Sequence, residues 1–294
     1  MLNNIFELLR PKQWLKNLFV FAPLFFSGEL FRPAPAILAI AAAVLFSLMS
    51  SAVYILNDIA DLERDRQHPQ KRDRLLASGQ VPVSSGWLLF LFLAGFSLVL
   101  SWTMTWKLCL ILILYLSVNI AYSFWLKQIA IVDVFCISSG FIFRVLAGGA
   151  VSGVYISHWL LLCTLTLSLF IAFGKRREEF VSLKGNPAVQ RPSLAGYSLP
   201  FLDHAISTVA TLTIICYILY VADPRTTAFF RTRAVLLTSV FVLYGIFHYL
   251  NLLQTHQQGG NPITMLLSDR ALQAACLGWG LTWIIILFFK LSAG

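Results

Sequence analysis

Residues 35–57 read PAILAIAAAVLFSLMSSAVYILN, and none of them is charged. As a helix, this stretch is long enough to cross the roughly 30 Å hydrocarbon core of a bilayer. Similar apolar stretches recur throughout the 294 residues, which are 58% hydrophobic and only 12% charged. Because backbone groups in lipid must hydrogen-bond to each other, the sequence predicts an all-α integral membrane protein.

We count nine apolar segments, with the polar residues gathered between them. Their approximate spans are 16–31, 35–57, 84–104, 107–124, 130–151, 157–174, 199–222, 232–252 and 269–290. The first segment is short and contains Pro23, which interrupts a helix interior. No soluble domain separates from these segments, so we expect one polytopic domain over residues 1–294 with about nine transmembrane helices.

The polar loops differ in length and in charge. The long loops, at about 58–83, 175–198 and 253–268, follow the second, sixth and eighth segments. With nine spans they lie on the same side as the N-terminus, and that side carries fifteen Lys and Arg residues against six on the other. The positive-inside rule therefore predicts a cytoplasmic N-terminus and cytoplasmic long loops.

The formal net charge of +9 comes without a nucleic-acid-binding pattern. Basic loops at a membrane, anionic substrates and lipid headgroups account for it, so we expect no nucleic-acid partner. The five cysteines lie within apolar segments and form no short motif. They indicate buried apolar side chains rather than a disulfide framework or a metal site.

The densest charge run is NDIADLERDRQHPQKRDR, residues 57–74. Asp58, Asp61 and Asp65 are spaced i, i+3 and i+7, so they share one face if the helix continues past the membrane. Asn57 lies beside them. Like charges on one face repel, and Mg²⁺ takes oxygen ligands from carboxylates and substrate phosphates. The pattern indicates a Mg²⁺–diphosphate site, and the alternative is a solvated helix end with local salt bridges.

Two groups of cations accompany the acidic motif. Lys71, Arg72 and Arg74 lie in the first long loop, and Lys175, Arg176 and Arg177 follow Gly174 in the run GKRREE, residues 174–179. Such side chains bind phosphate oxygens, although ordinary positive-inside charge also explains them. An acidic cluster with a separate basic cluster fits a substrate that carries a second phosphate besides its diphosphate.

Arg144 lies well inside the fifth segment, within IVDVFCISSGFIFRVLAGG, residues 131–149. An ionisable residue inside a span is a functional-site candidate, and an Arg held by a structural partner is the alternative. Asp133 is about 16 Å away along the helix, too far to pair with it. The small residues of this segment indicate close helix packing: Ser138, Ser139, Gly140, Gly148 and Gly149.

The N-terminal run LLRPKQWLKN, residues 8–17, places Arg10, Trp14 and Lys16 at the start of the first segment. The run fits an interfacial anchor with its cations reaching the polar surface. It fits equally a closure of the cytoplasmic mouth of a substrate pocket.

These stretches together resemble the UbiA prenyltransferase superfamily. The resemblance rests on LRPKQWLKN (9–17), NDIADLERDRQHPQKRDR (57–74), AYSFWLKQIAIVDVFCISSGFIFRVLAGG (121–149), FGKRREE (173–179), SLAGYS (193–198) and PITMLLSDRALQ (262–273). The basic GKRREE run, which replaces a second aspartate-rich motif, is similar to the branch that transfers phosphoribose to polyprenyl phosphates. Arg74–Leu75 departs from the Arg-Pro that is common after the first motif.

The resemblance implies a helical bundle around a central, lipid-open cavity in a bacterial plasma membrane. It implies Mg²⁺-dependent transfer of 5-phosphoribose from phosphoribosyl diphosphate to a decaprenyl-type polyprenyl phosphate, with diphosphate released and a place in cell-wall synthesis. Homo-oligomerisation is left open. The implied catalytic residues are Asp58, Asp61 and Asp65, which also hold the metal, and Arg144. The implied substrate-binding residues are Lys16, Asn57, Lys71, Arg72, Tyr122, Lys127, Lys175 and Arg176.

Two other functions are weighed against this one. A transferase moving a prenyl chain from a prenyl diphosphate to an aromatic or other lipophilic acceptor would carry the second aspartate-rich motif, which this sequence lacks. A transporter would carry paired charges in broken helices near the bilayer midplane, whereas these charges cluster at one end of the spans. We therefore favour the phosphoribosyl-transferring enzyme.

Overall fold

The computed structural model describes residues 6–67, 71–182, 192–255 and 262–292, so parts of all three long loops lie outside it. Within these stretches every regular element is a helix. The α-helices are α1 (Ala22–Phe26), α2 (Pro33–Ala60), α3 (Leu62–Gln67), α4 (Val83–Met104), α5 (Trp106–Phe124), α6 (Val132–Ser152), α7 (His158–Ser182), α8 (Leu199–Ala222), α9 (Pro224–Phe230), α10 (Thr238–Thr255), α11 (Pro262–Ser268) and α12 (Arg270–Ser292). Eight helices of the described chain are long and apolar enough to cross a membrane. The predicted all-α, multi-pass membrane protein is confirmed.

The first predicted segment is not among these eight α-helical spans. It forms a 3₁₀ helix, Pro11–Phe21, followed directly by the short α1. A 3₁₀ helix rises about 2.0 Å per residue against 1.5 Å for an α-helix. The two elements together therefore extend about 30 Å, which matches a bilayer core although the segment has too few residues for an α-helical span.

The 3₁₀ helix runs antiparallel to α2 and is joined to it by polar contacts. Trp14 Nε1 donates to Ser51 Oγ at 3.0 Å, and Asn17 Nδ2 donates to Ser47 Oγ at 2.7 Å. As the residue number rises along the 3₁₀ helix, the partner number on α2 falls. The segment thus follows α2 through the interior instead of lying across its end.

The chain divides into two compact units, Met1–Ile156 and Ser157–Gly294. Unit 1 contains the 3₁₀ helix and α1 to α6, and unit 2 contains α7 to α12. Each unit includes four of the eight membrane-spanning helices. The single domain predicted for residues 1–294 stays a prediction.

Helix α2 forms the centre of unit 1. It packs against the 3₁₀ helix, α4, α5 and α6, and Phe46, Met49 and Ile55 on it are fully buried. Pro33 begins the helix, where the N–H that proline lacks would have had no partner within the helix. Because α2 touches four neighbours, its far end is held firmly where the acidic motif begins.

Helix α6 approaches the 3₁₀ helix through glycine. A Cβ built on Gly148 would collide with the backbone carbonyl oxygen of Val20, and one on Gly149 would lie 2.5 Å from the Ile156 side chain. Only a hydrogen atom fits at these two positions. The close helix packing predicted at Gly148 is confirmed, whereas Gly149 packs against the connection that follows α6.

In unit 2, α7 packs along α8, and α10 packs along α12. A single hydroxyl links three of these helices. Tyr217 Oη donates to Thr238 Oγ1 at 2.8 Å and accepts from the indole N–H groups of Trp279 and Trp283 at 2.7 and 3.0 Å. The three contacts satisfy the hydroxyl groups of Tyr217 and Thr238 and the indole of Trp283, all of which are buried.

The outer faces of the spans carry large apolar side chains. Leu88 and Leu91 on α4 are 71% and 61% exposed, and Phe288 and Phe289 on α12 are each 66% exposed. Apolar surface on this scale is a liability in water but the expected lining against lipid. The exposure pattern therefore agrees with a chain that spans a membrane.

Candidate active site

The acidic motif lies where α2 breaks. The helix ends at Ala60, Asp61 leaves the helical conformation with φ −99° and ψ 7°, and α3 begins at Leu62. The condition for all three carboxylates to share one face, a helix that runs on without interruption, is therefore not met at Asp61. The backbone N–H groups of Asp61 and Asp65 still donate to carbonyl oxygens four residues earlier, at 2.9 and 2.8 Å. Asp58 and Asp65 remain close enough to share one partner side chain.

Arg74 occupies the point where these two carboxylates meet. Its Nη1 donates to Asp58 Oδ1 at 2.9 Å and to Asp65 Oδ2 at 2.7 Å. The two acidic side chains are 8% and 5% exposed, whereas the Arg74 side chain is 34% exposed. A partly accessible cation thus compensates two nearly inaccessible anions, as buried charge requires.

Arg10 reaches the same site from the N-terminal run. Its Nη2 lies 2.6 Å from both carboxylate oxygens of Asp58, and its guanidinium lies over the Tyr54 ring, 5.3 Å from the centroid. The Arg10 backbone has φ 51° and ψ 58° directly before Pro11, a conformation that is strained for a residue other than glycine. Of the two interpretations of this run, Arg10 supports the one in which it closes over a site.

Asp61 is held from another direction. Lys127 Nζ, from the connection between α5 and α6, lies 2.6 Å from Asp61 Oδ1. Asn57 Oδ1 accepts a hydrogen bond from Ser123 Oγ at 2.7 Å, at the end of α5. The structure therefore brings Lys127 and Asn57, both predicted to bind substrate, to the acidic motif.

The donor atoms of this motif suit a hard divalent cation. Asp58, Asp61, Asp65 and Asn57 offer oxygen acceptors of the chemical class that Mg²⁺ prefers, and two of the acids converge on a position now taken by an Arg74 nitrogen. Among the described side chains, no three Asp, Glu, His or Cys residues are grouped to hold a metal as they stand. The residues fit the metal once the guanidinium groups withdraw, and the metal assignment stays a prediction.

Arg144 is 4% exposed in the middle of α6. Its Nε donates to Asn17 Oδ1 at 2.8 Å, and its Nη1 donates to the carbonyl oxygen of Gly140 at 2.7 Å. Three rings face its guanidinium at 4.8 to 5.6 Å: those of Phe46, Tyr115 and Phe141. These partners tie α6 to the 3₁₀ helix. The catalytic role of Arg144 stays a prediction, and each of these contacts also suits a residue that holds the bundle together.

The other predicted residues of unit 1 are accessible to different degrees. Lys16, Lys71 and Tyr122 are half-buried, and Arg72 is exposed with its Nε 4.0 Å from Asp73. Their accessibility allows contact with a ligand. Their predicted substrate-binding roles stay predictions.

The basic run GKRREE lies near the end of α7 in unit 2. Lys175 is exposed, whereas Arg176 and Arg177 are 1% and 9% exposed. Arg176 Nη1 lies 2.7 Å from Glu179 Oε2, and Arg177 Nε lies 2.5 Å from Asp203 Oδ1 on α8. Among these three cations, Lys175 is therefore the most accessible to a ligand.

Unit 2 also holds buried polar atoms that lack a hydrogen-bond partner within the described chain. They are Arg177 Nη1 and Tyr249 Oη. The Tyr249 ring packs against Phe170 with 5.0 Å between centroids. An unsatisfied buried group costs about 1–3 kcal/mol, so this hydroxyl differs energetically from that of Tyr217.

Asp269, in the stretch PITMLLSDRALQ, caps the N-terminus of α12. Asp269 Oδ1 accepts the backbone N–H of Leu272 at 2.8 Å and lies 3.1 Å from His248 Nε2. The hydrogen bond from Leu272 and the neighbouring His248 lower the pKa of Asp269 below its usual value. This cap accounts for the aspartate at the start of the last span.

Arg10 and Arg74 are absent from the predicted metal-binding and substrate-binding residues, although Arg74 is one of the loop cations able to bind phosphate. They lie 48 and 16 residues from Asp58 along the chain. The signal was present in the quoted motifs, since both arginines fall within them. Nothing in a one-dimensional spacing connects them to the acids, because the contacts form only when the N-terminal run and the first long loop fold back on the end of α2.

The described chain is an all-helical membrane protein with an acidic motif where a spanning helix ends. Comparison of its sequence with known protein families identifies the family to which it belongs. The family model described as the UbiA prenyltransferase family matches residues 18–268. The chain therefore belongs to the UbiA family, as its resemblance predicted.

Two individual proteins resemble this chain over most of its length. The chain is 33% identical over 294 residues to the decaprenyl-phosphate phosphoribosyltransferase of Mycolicibacterium smegmatis, with 95% of this chain and 91% of that protein covered. A protein of the same name from Mycobacterium tuberculosis is 33% identical over 282 residues, with 94% and 91% covered.

A solved structure shares the fold. The structure of a UbiA homolog from Archaeoglobus fulgidus bound to DMAPP and Mg²⁺ matches with a TM-score of 0.68 over 97% of this chain and 96% of that one. Its sequence identity is 15%, so the likeness concerns the fold alone.

Proposed function

We propose that this protein transfers 5-phosphoribose from phosphoribosyl diphosphate to a polyprenyl phosphate of the decaprenyl type and releases diphosphate. The observation that carries the proposal is the 33% identity, across 95% of the chain, to a relative named decaprenyl-phosphate phosphoribosyltransferase. The oxygen-donor motif at the end of α2 supports the diphosphate part of the donor. The separate run GKRREE supports a second contact with an anion.

The acidic motif is the proposed metal-binding part of the site. Asp58, Asp61 and Asp65, with Asn57, would hold Mg²⁺. The metal supplies charge stabilisation to the departing diphosphate oxygen. Around it, Lys127 lies within hydrogen-bond distance of Asp61 and is available to neutralise a phosphate group of the substrate.

The proposed chemistry needs little proton transfer from the protein. The ribosyl carbon acquires oxocarbenium-like character as the diphosphate departs, by analogy with glycoside chemistry. The acceptor phosphate is a monoester whose second pKa is about 6, so it is already ionised near neutral pH. The protein's task is therefore to bind and orient two anionic substrates. The proposed binding residues are Lys16, Lys71, Arg72, Lys175, Tyr122 and, after rearrangement, Arg176.

Arg144 has a different proposed role. It is too buried to meet a substrate in this conformation, and it binds Asn17 of the 3₁₀ helix. We assign it to positioning: it fixes the helix that carries Lys16 and begins directly after Arg10. Its effect on turnover would then pass through those two residues.

The proposed orientation has the N-terminal run and the long loops in the cytoplasm of a bacterial plasma membrane. The bias of fifteen cations against six supports it. A water-soluble donor such as phosphoribosyl diphosphate would then reach the acidic motif from the cytoplasm, and the polyprenyl phosphate from the lipid.

A product assay tests the function. Purified protein in detergent receives Mg²⁺, decaprenyl phosphate and phosphoribosyl diphosphate labelled in the ribose. A parallel reaction receives a labelled prenyl diphosphate and an aromatic acceptor, because the fold neighbour binds DMAPP. Lipid-extractable ribose label supports the proposal. Prenylated acceptor without any ribosylated lipid would reverse it in favour of prenyl transfer.

The double variant Asp61→Asn with Asp65→Asn tests the metal assignment in the same assay. We expect Mg²⁺-dependent product to fall by at least about a hundredfold, because neutral amides are poorer ligands for a hard cation. The exposed Glu63→Gln variant is the matched control within the same motif, and near-wild-type turnover by the double variant would refute the assignment.

A further inference from the structure

The acidic motif of unit 1 is fully compensated by the protein's own cations. Three carboxylates contact three basic side chains: Asp58, Asp61 and Asp65 against Arg10, Arg74 and Lys127. Their formal charges cancel. A divalent cation that entered alone would leave a surplus of two positive charges in a partly buried site, where such charges are weakly screened.

The guanidinium groups also block the metal-ligating oxygens directly. Arg10 Nη2 lies 2.6 Å from both oxygens of Asp58. Arg74 Nη1 takes the one position that Asp58 and Asp65 share. A metal could bind both oxygens of Asp58 only after Arg10 withdraws, and it could bridge Asp58 and Asp65 only after Arg74 does.

The arginines are the partners that can move. The Asp58 and Asp65 side chains are 8% and 5% exposed, whereas those of Arg10 and Arg74 are 28% and 34% exposed. Asp58 belongs to α2, the most enclosed of the described spans in unit 1. The arginine side chains are long and partly exposed, so they have more freedom to reorient than the enclosed carboxylates.

We propose that Arg10 and Arg74 act as internal counter-ions that exchange partners when substrate binds. Without ligand they hold the carboxylates. When metal and diphosphate enter together, the metal takes the carboxylates and the two guanidinium groups turn to the diphosphate oxygens, for which they have matching geometry. Metal and diphosphate therefore bind with positive coupling, and metal alone binds weakly. The inference rests on the proposed function for the identity of the anion.

The exchange has a signature that a simple binding role lacks. If Arg74 competes with the metal, its removal tightens the binding of metal alone while it weakens the binding of diphosphate. A residue that merely stabilises the fold, or merely binds diphosphate, would not produce these opposite changes. The sign of the metal-only effect is therefore the decisive quantity.

Mn²⁺ is a suitable probe, because free Mn²⁺ is measured by its electron paramagnetic resonance signal and no turnover is needed. Full-length protein in detergent is titrated with Mn²⁺ in the absence of any phosphate compound. We expect Arg74→Ala to bind Mn²⁺ about tenfold more tightly than wild type, the effect of removing one competing charge-assisted contact. Arg74→Gln, which removes the charge but keeps an N–H donor, should bind with intermediate affinity.

Arg66→Ala is the matched control. Arg66 belongs to the same motif, and its replacement changes the net charge equally, but its Nη1 contacts the exposed Glu63 at 2.9 Å rather than the buried acids. We expect a change of less than about twofold, since exposed charges are well screened. A tenfold effect of Arg66→Ala would mean that general electrostatics, not partner exchange, governs the metal.

The second arm measures thermal unfolding at saturating Mg²⁺ with added inorganic diphosphate. Wild type should be stabilised further by diphosphate, and Arg74→Ala by clearly less. Equal or weaker Mn²⁺ binding by both Arg74 variants, with native unfolding midpoints, would overturn the exchange. If Arg74→Ala does not fold, the Arg74→Gln titration decides alone.

The outcomes separate this inference from the proposed function. If the wild-type protein forms ribosylated lipid but the Arg74 variants do not bind Mn²⁺ more tightly, the proposed function is supported and the partner exchange is refuted. If the Arg74 variants bind Mn²⁺ more tightly but the wild-type protein forms no ribosylated lipid, the partner exchange is supported and the diphosphate substrate is a different one.

Discussion

Replacing Gly148 by alanine is expected to separate the 3₁₀ helix from α6. The added Cβ would collide with the carbonyl oxygen of Val20, lie 2.9 Å from its carbonyl carbon and stand 3.3 Å from Pro23 Cδ. Two of these atoms belong to the backbone, so no side-chain rotation relieves the contact. The 3₁₀ helix must move, and with it Arg10, which directly precedes the helix.

The expected loss of stability is about 3 kcal/mol, at the upper end for inserting one methyl group into a packed interior. Gly95→Ala is the matched control, because Gly95 lies in α4 and a Cβ added there would have nothing within 4 Å. Because alanine has a higher helix propensity than glycine, Gly95→Ala should raise the free energy of unfolding by up to about 1 kcal/mol. The same chemical change thus has opposite signs at the two positions.

The assay is thermal unfolding in detergent, followed by intrinsic tryptophan fluorescence. At roughly 2 °C per kcal/mol for a chain of this size, Gly148→Ala should lower the midpoint by about 6 °C. Gly95→Ala should leave it unchanged or raise it slightly. Equal midpoints for the two variants would refute the close approach of the 3₁₀ helix to α6.

Three further predictions concern unit 2. Tyr217→Phe should destabilise the protein by about 2–3 kcal/mol because it leaves hydrogen-bond partners unsatisfied, whereas Tyr249→Phe should be neutral or stabilising; unfolding midpoints of the two variants that coincide would contradict this. Lys175→Ala should raise the KM for phosphoribosyl diphosphate about tenfold, and an unchanged donor KM in steady-state kinetics would remove Lys175 from the site. The pKa of Asp269 is lower in the folded than in the unfolded protein. Its hydrogen bond from Leu272 therefore contributes stability above the unfolded-state pKa, about 4, and this contribution disappears as the pH falls through the folded-state pKa. Asp269→Asn should therefore flatten the acid limb of the stability curve, and parallel limbs for variant and wild type would argue against the cap.

The class of fold was predictable because lipid imposes it. Runs such as residues 35–57 have one solution in a bilayer, and the structure has a helix there, Pro33–Ala60. The first segment was harder, since a 3₁₀ helix crosses the same distance with fewer residues. Pro11 begins the 3₁₀ helix and Pro23 follows its end, but proline marks an interruption without indicating the helix type.

The candidate site was predictable in its acids and not in its counter-ions. Asp58, Asp61 and Asp65 stood out because carboxylates are rare next to a span. The helix breaks after Ala60, between Asp58 and Asp65, and no proline or glycine between these two residues predicts that break. The roles of Arg10 and Arg74 follow from contacts across the fold, and only the three-dimensional structure brings those residues together.

The 3₁₀ helix has a consequence for how the chain assembles in the membrane. The amide nitrogen of Asn17 donates to Ser47 and its oxygen accepts from Arg144, and Arg144 follows it by 127 residues. Polar groups are costly in lipid until their partners arrive. We therefore expect the N-terminal segment to dock late in synthesis, after α6 has left the ribosome. A nascent chain arrested before residue 144 would keep this segment open to protease, and release past α6 would protect it.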